Sequence, residues 1–359
     1  MSKSKLLYCM QVPWYWIKQR PHFIAEGLID EYEVTVVDRK EYTKDVSNPT
    51  DLKLYHRFRL PFERYRAIEV LNKILYRLQF FFLKRDKDII WVTNPTQYRL
   101  IGQCHNKLLV YDCMDDMPAL AKTERVRKET EVYEKRLLED ADVVFASSNH
   151  LKNHLFEKYG HRNIIVVNNA ITDRITEYKK DSQGAFGINL PSNKTNLTYI
   201  GTLSSWFDYD LVINVLDKHP EFILNLFGHC EIPVPSHPQI KYYGSIEHKC
   251  ILELMEQSDV LVMPFVVNDL IRSVNPVKLY EYIYSGKPCV ASRYGETEQF
   301  SKFVNLYKNQ EEFEKIIVDI ANGVIKQKPI EQCEAFALQN TWSARVKQMK
   351  QILTNEEKR

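Results

Sequence analysis

The sequence predicts an α/β protein built from two Rossmann-like domains, each a parallel sheet covered by helices. Short apolar runs alternate with longer amphipathic segments through most of the 359 residues, which is the pattern of parallel strands joined by crossover helices. The length and the 44% hydrophobic content are enough for two buried cores. A polar stretch rich in Gly, Ser, Lys and Asn separates the two series and predicts a linker.

The pattern also predicts the bounds of the individual elements and domains. The predicted strands are 6–10, 34–38, 89–92, 108–111, 143–146 and 164–167 in the first series, and 197–200, 222–227, 240–243, 260–264 and 289–292 in the second. A charged helix is predicted over 123–138, and a terminal helix over 342–353, where Val346, Met349 and Leu353 have helical spacing. The predicted domains are 1–172 and 196–340, with a linker at 173–195 and a terminal helix and tail at 341–359.

This organisation predicts where the chemistry lies. Parallel sheets bind ligands at the carboxyl ends of their strands, so we expect the two domains to face a central cleft that holds the functional site. We also expect the C-terminal helix to pack back toward the N-terminal domain.

Composition excludes several classes of protein. The seven cysteines are scattered without a Cys-x-x-Cys pair, which argues against a disulfide framework or a structural zinc site and favours a reducing compartment. No metal-ligand spacing occurs among the ten histidines, so no metal site is predicted. The apolar run Leu6–Met10 is too short for a signal peptide, and no later run reaches about 18 residues. We therefore expect a cytoplasmic chain without a membrane span.

Positive charge is concentrated in residues 53–87, where 10 Lys and Arg stand against 3 Asp and Glu. Aromatic residues are interleaved with these cations, and a basic amphipathic helix of this kind favours docking to an anionic membrane surface. The alternative is that the apolar face packs on the N-terminal sheet while the cations are solvated. No nucleic-acid motif accompanies the stretch, so a nucleic-acid partner is not predicted. The membrane-docking candidates are Arg57, Arg59, Arg64 and Arg66.

The segment Asn275–Pro288 predicts an anion-binding helix. Asn275 is suited to the N-cap, Pro276 to the first helical position and Gly286 to the helix end. The free N–H groups of a helix start attract phosphate, and Lys278 adds a positive charge there. Glu281, three residues later on the same face, is suited to accept hydrogen bonds from ribose hydroxyls. The alternative is an ordinary capped helix with an ion pair between positions i and i+3.

Asn275–Ser292 resembles the donor-binding helix of GT-B glycosyltransferases, in which a Lys and a Glu precede a Gly-Lys-Pro turn. Asn196–Ser204 resembles the first strand and phosphate-side loop of their C-terminal domain, Tyr242–Ile246 the loop beside the base, and Val166–Thr172 the end of the N-terminal domain. His229 follows a predicted strand of the same domain, and Arg272 is a further candidate for diphosphate contact. The donor-binding candidates are thus Gly201, Thr202, His229, Ser245, Ile246, Arg272, Lys278 and Glu281.

The N-terminal half resembles a narrower group. Trp14–Leu28 is similar to an Arg-Pro-x-x-x-Ala-x-x-Leu element of bacterial polysaccharide and teichuronic-acid glycosyltransferases. Leu108–Asp116 is similar to the strand end that holds the catalytic Asp of xanthan-type glucuronosyltransferases, and that Asp falls on Asp115. The alternatives are a turn and helix cap formed by the three acids, or a metal-binding acidic pair. The acceptor-side candidates are Trp14, Arg20, His22 and Asp112.

The resemblance implies transfer of a sugar from a nucleoside diphosphate sugar, UDP-linked by preference, to a lipid-linked oligosaccharide or other glycan in surface-polysaccharide or capsule assembly. It implies no cofactor and no metal. Many retaining members have a glutamate eight residues before the second one, and Ser273 occupies that position here. An inverting reaction with Asp115 as general base is therefore predicted, and a retaining transferase is the alternative. A non-catalytic two-lobed protein that binds a nucleotide or sugar is the alternative of another class.

Overall fold

The computed structural model describes residues 3–38, 52–62, 64–181 and 187–357. These residues form two compact units. Unit 1 comprises residues 1–168 and 342–359, and unit 2 comprises residues 169–341. Each unit contains one parallel sheet with helices in the connections between its strands, so each has the architecture of an open, doubly wound α/β fold.

Unit 1 is built on a seven-stranded sheet in the order β3-β2-β1-β4-β5-β6-β7. Its strands are β1 (Ser4–Cys9), β2 (Tyr32–Asp38), β3 (Lys53–His56), β4 (Ile89–Val92), β5 (Leu108–Cys113), β6 (Val143–Ala146) and β7 (Ile164–Val166). Its first helices are α1 (Arg20–Leu28), α2 (Arg66–Leu83), α3 (Pro95–Ile101), α4 (Glu124–Asp140) and α5 (Asn149–Tyr159). The central strands read as continuous apolar runs because helices cover both faces of a parallel sheet. All four residues of β4 and of β6 are buried.

Unit 2 has a six-stranded sheet in the order β10-β9-β8-β11-β12-β13. Its strands are β8 (Thr195–Ile200), β9 (Phe222–Phe227), β10 (Ile240–Gly244), β11 (Val260–Met263), β12 (Cys289–Ser292) and β13 (Asn305–Tyr307). Its helices are α6 (Ile175–Asp181), α7 (Tyr209–Leu216), α8 (Ile251–Gln257), α9 (Asp269–Ser273), α10 (Val277–Tyr284), α11 (Gln310–Ala321) and α12 (Ile330–Gln339). The sheet order reverses between β8 and β11, which is where such folds bind ligands.

The last helix, α13 (Trp342–Glu357), belongs to unit 1 rather than to unit 2. The ring of Trp342 stacks on Phe23 of α1 with centroids 5.2 Å apart. Val346, Met349 and Leu353 are buried along the same face of the helix. The predicted packing of the C-terminal helix on the N-terminal domain is therefore confirmed.

The predicted fold class of two Rossmann-like domains is confirmed, and each predicted strand is present with bounds shifted by no more than two residues. The strands β3 and β13 were not predicted; they are short edge strands of the two sheets. The predicted linker contains α6, and its residues 182–186 lie outside the described part of the chain.

Candidate active site

The carboxyl edge of the unit 2 sheet brings three backbone turns close together. Gly228 follows β9 with a φ of 135°, and a Cβ atom there would lie 1.9 Å from the carbonyl oxygen of Gly201, which follows β8. The Gly228 N–H donates to the carbonyl oxygen of Gly244 at the end of β10, at 2.8 Å. Only glycine allows both this φ and this approach. The edge therefore presents closely packed main chain at the ligand-binding end of the sheet.

The α10 helix carries a buried carboxylate with two basic partners. Glu281 is 3% exposed. Its Oε2 lies 2.9 Å from Nζ of Lys278, and its Oε1 lies 2.9 Å from Nε2 of His248. Burial acts to raise the pKa of Glu281, but Lys278 and His248 outweigh it and lower the pKa to about 2. The carboxylate is thus held ionised, and hydrogen-bond donors of a ligand would meet a charged acceptor.

His248 also belongs to this cluster, although it was not among the predicted site residues. Its imidazole is partly exposed and makes an edge contact with the ring of Tyr178, with centroids 5.3 Å apart. It follows Ile246 by two residues in the loop after β10. The sequence contains that loop but gives no sign that His248 reaches Glu281, 33 residues further along the chain.

The predicted start of α10 is wrong by one position. Pro276, with a ψ of 105°, is the N-cap, and Val277 is the first helical residue. Asn275 does not cap the helix because its side chain accepts a hydrogen bond from the Asn169 N–H at 3.0 Å. The Asn169 side-chain amide in turn donates to the Asn275 carbonyl oxygen at 2.9 Å. The predicted helix end is confirmed, since Gly286 follows the C-cap Ser285 with a φ of 72°.

The remaining donor-side candidates lie at the same edge of the sheet, because they follow neighbouring parallel strands. Thr202 follows β8, and its carbonyl oxygen accepts a hydrogen bond from the Tyr199 hydroxyl at 2.9 Å. His229 and Ser245 are exposed after β9 and β10, with Ile246 half-buried beside Ser245. Arg272 is exposed on α9. Their roles in donor binding stay predictions.

Ser273, at the position where many retaining enzymes carry a glutamate, is 2% exposed. Its hydroxyl donates to the carbonyl oxygen of Leu270 at 2.7 Å, within α9 itself. The hydroxyl therefore satisfies the backbone of its own helix.

In unit 1, Arg20 and Asp112 form a buried ion pair. They are 5% and 0% exposed, and the Arg20 guanidinium donates to Asp112 through Nε and Nη2, the latter at 2.7 Å. Arg20 Nη1 also donates to the carbonyl oxygen of Val167 at 2.7 Å. The pair links α1, the end of β5 and the residue after β7. This buried pair therefore stabilises the arrangement of these three elements at the carboxyl edge of the sheet.

Asp115 and Asp116 follow β5 and differ in their surroundings. Asp116 Oδ1 accepts a hydrogen bond from the Ala119 N–H at 3.0 Å, and its Oδ2 lies 3.7 Å from Nε2 of His154. Asp115 is partly exposed, and among the described residues no group donates a hydrogen bond to its carboxylate. Burial raises the pKa of Asp115, Arg20 opposes this, and the neighbouring carboxylates add to it. Of the three acids, Asp115 is the one whose carboxylate accepts no hydrogen bond from the described residues.

Trp14 and His22, predicted on the acceptor side, are both buried. His22 Nδ1 accepts a hydrogen bond from the Gln19 N–H at 3.1 Å, and its ring lies 5.3 Å from that of Trp14. The main-chain N–H of Trp14 donates a hydrogen bond to Oδ2 of Asp38 at 2.7 Å. These contacts hold the loop between β1 and α1, so Trp14 and His22 shape that loop from within. Tyr15 and Trp16 are exposed beside them.

The basic stretch does not form a single helix as predicted. Of the four predicted docking arginines, Arg57 and Arg59 follow β3, Arg64 precedes α2, and Arg66 alone lies in the helix, as its first residue. The helix begins at Arg66 because its N-cap, Tyr65, is extended with a ψ of 127°, and residues 53–56 pair with β2 in the sheet.

Two negative findings apply to the described part of the chain. Within residues 3–38, 52–62, 64–181 and 187–357, no three His, Cys, Asp or Glu side chains are grouped so that they could hold a metal ion. Over the same ranges, every helix is too short or too polar to cross a bilayer.

No protein-family model matches the chain. One curated relative, "Putative teichuronic acid biosynthesis glycosyltransferase TuaH" of Bacillus subtilis (strain 168), is 23% identical over 239 residues. The matched segment covers 59% of this chain, and the chain spans only 57% of that relative's length.

Solved structures resemble almost the whole chain. Sucrose-phosphate synthase of Thermosynechococcus elongatus has a TM-score of 0.75 at 14% identity, over 98% of this chain and 99% of that chain. Alr3699/HepE of Anabaena, in complex with UDP-glucose, has a TM-score of 0.70 at 16% identity, over 98% and 99%. WaaG, a glycosyltransferase involved in lipopolysaccharide biosynthesis, has a TM-score of 0.67 at 13% identity, over 97% and 99%. The chain therefore has the GT-B fold.

Proposed function

We propose that the chain is a glycosyltransferase that uses a nucleoside diphosphate sugar, with UDP as the preferred nucleotide. The observation that carries the proposal is the buried Glu281 carboxylate of α10, held by Lys278 in the first turn of the same helix and by His248 from the loop after β10. A charged acceptor for ribose hydroxyls and a cation for diphosphate are the two groups that such a donor requires. The likeness to Alr3699/HepE, solved with UDP-glucose, supports the choice of nucleotide.

The proposed reaction is an inverting displacement. The Asp115 carboxylate takes the proton of an acceptor hydroxyl as the hydroxyl oxygen attacks the anomeric carbon, and the bond from that carbon to the diphosphate oxygen breaks. Lys278, Arg272 and the N–H groups at the start of α10 stabilise the negative charge on the leaving nucleoside diphosphate. The unengaged carboxylate and raised pKa of Asp115 support its role as the base.

The proposed acceptor is a polyprenyl-diphosphate-linked oligosaccharide or another glycan of surface-polysaccharide assembly. The likenesses to TuaH and WaaG support this class of acceptor. Trp14, Arg20, His22 and Asp112 would shape the acceptor side through the loop and strand ends that they hold. The enzyme would act from the cytoplasm, peripherally on the inner face of the membrane, with Arg57, Arg59, Arg64 and Arg66 near anionic lipid.

Replacing Glu281 by Gln, or Lys278 by Ala, is expected to weaken the binding of UDP and UDP-glucose. Hydrogen bonds to a charged group contribute about 1.5–3 kcal/mol, so we expect the Glu281→Gln dissociation constant to rise by roughly 10- to 100-fold. Isothermal titration calorimetry measures this directly. Lys315→Ala on α11, which removes an exposed ion pair of the same unit, is the matched control. Unchanged affinity in both site variants would reject the donor assignment.

The proposed reaction needs no metal, because Lys278 and the helix start supply the positive charge at the diphosphate. We therefore expect activity, once a donor and acceptor pair is found, to be retained within about twofold after treatment with EDTA. The measurement is the rate of UDP release before and after chelation. A complete loss that manganese restores would contradict this and favour a metal-dependent reaction.

A further inference from the structure

The helix α2 has an apolar surface on its outward side as well as on the inward side that buries Phe80 in the core. Asn72 lies on its inward face and is 1% exposed, whereas its outward face is a continuous apolar stripe. This apolar face consists of Val70, Leu71, Ile74, Leu78, Phe81 and Phe82, each between 48 and 65% exposed. Surface helices of soluble domains bury such a stripe. A contiguous exposed patch of this kind indicates an interaction surface.

The inward polar residues of α2 hold the preceding loop. The Asn72 side-chain amide accepts from the Leu60 N–H at 2.7 Å and donates to the Leu60 carbonyl oxygen at 3.1 Å. Gln79 makes the same pair of hydrogen bonds with the main chain of Phe58, at 2.8 and 2.9 Å. These two side chains, the amide clamp, join the loop and the helix into one surface.

The clamped loop enlarges the apolar surface. Phe58, Phe62 and Tyr65 are exposed on it, at 55 to 66%. Phe62 has a φ of 65°, a left-handed conformation that bulky residues rarely adopt. Backbone strain of this kind persists where the surroundings impose it, and it is concentrated at functional sites.

Cations border the apolar face along one side. Arg66, Lys73 and Arg77 lie at helical spacing next to the stripe. Lys73 pairs with Glu69, whereas within the described ranges no carboxylate lies within ion-pair distance of Arg66 or Arg77. The surplus of basic residues over 53–87 thus includes cations that are free to meet an anionic partner.

We propose that α2 lies in the plane of an anionic lipid surface, with its apolar face and the clamped loop inserted among the headgroups and upper acyl chains. An exposed apolar stripe rich in Phe and Leu beside unpaired arginines matches the chemistry of that interface. This deepens the proposed function, on which it rests for the identity of the surface, a membrane that carries the acceptor. The expectation from the sequence was that four arginines bind the membrane surface. In the present proposal, the apolar face of α2 also inserts into the membrane.

The test measures co-sedimentation with vesicles of phosphatidylcholine containing phosphatidylglycerol. The variant Ile74→Glu with Leu78→Glu places two charges on the apolar face. Val126→Glu with Val132→Glu is the matched control, because both valines are comparably exposed on α4 of the same unit. We expect the first pair to lower the partition coefficient at least tenfold and the control pair to lower it less than about threefold.

A second arm separates charge from insertion. Arg66→Gln with Arg77→Gln is expected to lower partitioning onto anionic vesicles roughly tenfold or more and to leave the weak partitioning onto pure phosphatidylcholine unchanged. Because all substituted side chains are exposed, the melting temperatures of the variants are expected to match that of the parent protein.

Three outcomes would overturn the proposal. The parent protein would fail to sediment with anionic vesicles, or the two glutamate pairs would weaken partitioning equally. In the third, sedimentation velocity would show that the parent protein is a dimer and that the variant Ile74→Glu with Leu78→Glu, but not the control variant, is a monomer. This would show that a second copy of the chain, and not a membrane, covers the apolar face. UDP-glucose affinity, measured without vesicles, is a separate readout. If the parent protein does not bind UDP-glucose, the proposed function is rejected, while the result on membrane docking is unaffected.

Discussion

Asp115→Asn is expected to lower turnover by roughly 10²- to 10⁴-fold, the range for loss of a general base. The substitution keeps the size of the side chain and removes its ability to take a proton. Donor affinity is expected to change little, because Lys278 and Glu281 belong to unit 2 and Asp115 to unit 1. The measurements are kcat with saturating donor and acceptor, and the dissociation constant of UDP.

Asp116→Asn is the matched control. Asp116 is adjacent in the chain, and its carboxylate accepts the Ala119 N–H, a role that the Asn side-chain oxygen can fill. We expect less than about a tenfold decrease in turnover for this variant, since it loses no proton acceptor that the reaction uses. Equal losses in the two variants, or near-normal turnover in Asp115→Asn, would remove Asp115 from catalysis.

The pH dependence gives a second readout of the same residue. Because burial and neighbouring acids raise the pKa of Asp115, the acid limb of kcat/KM is expected at a higher pH than for an ordinary aspartate, and to be lost in Asp115→Asn. The anomeric proton coupling of the product reports the stereochemistry independently. A retained anomeric configuration would assign the enzyme to the retaining class, whatever the variant does.

Arg20→Met is expected to lower the free energy of unfolding of unit 1 by about 3–5 kcal/mol. The change leaves the Asp112 carboxylate, which is fully buried, without its main partner, and breaking one side of a buried ion pair has a cost of this size. Urea titration followed by tryptophan fluorescence measures it. Four of the five tryptophans, at positions 14, 16, 91 and 342, lie in unit 1, so the signal reports mainly on that unit.

The matched control is Lys18→Met. Lys18 pairs with Glu26 at the surface, 2.6 Å apart, and an exposed pair of this kind contributes less than about 1 kcal/mol. The double variant Arg20→Met with Asp112→Leu is expected to regain most of the lost stability, since apolar residues can replace both charges. If Arg20→Met costs no more than Lys18→Met, the pair does not support the sheet edge as described.

The sequence was sufficient to predict the central strands and the terminal helix, because burial on both faces leaves a continuous apolar run and helical packing leaves a periodic one. It was insufficient for β3 and β13, whose three or four residues at a sheet edge carry no such pattern. Pairings between distant residues were also out of reach. Asn169 engages Asn275 across 106 positions and so removes the expected cap.

The same limit applied to the candidate site and to α2. Lys278 and Glu281 were found because they share one helix, whereas His248 approaches Glu281 from another loop. The interleaving of Arg and aromatic residues in 53–87 indicated a surface role. It did not reveal that Asn72 and Gln79 turn inward to bind the loop, because side-chain amides are ordinarily read as the solvent-facing side of a helix.

The placement of α13 in unit 1 has a consequence for biosynthesis. Unit 2 is continuous in the chain, whereas unit 1 is completed only by residues that follow unit 2. During synthesis on the ribosome, domains fold as they emerge, so Phe23 remains without Trp342 until the whole of unit 2 has been translated. The face of α1 that α13 covers is therefore exposed in the nascent chain. The apolar side chains of this face would therefore be accessible to chaperones that recognise apolar segments, even after the strands of the unit 1 sheet have been synthesised.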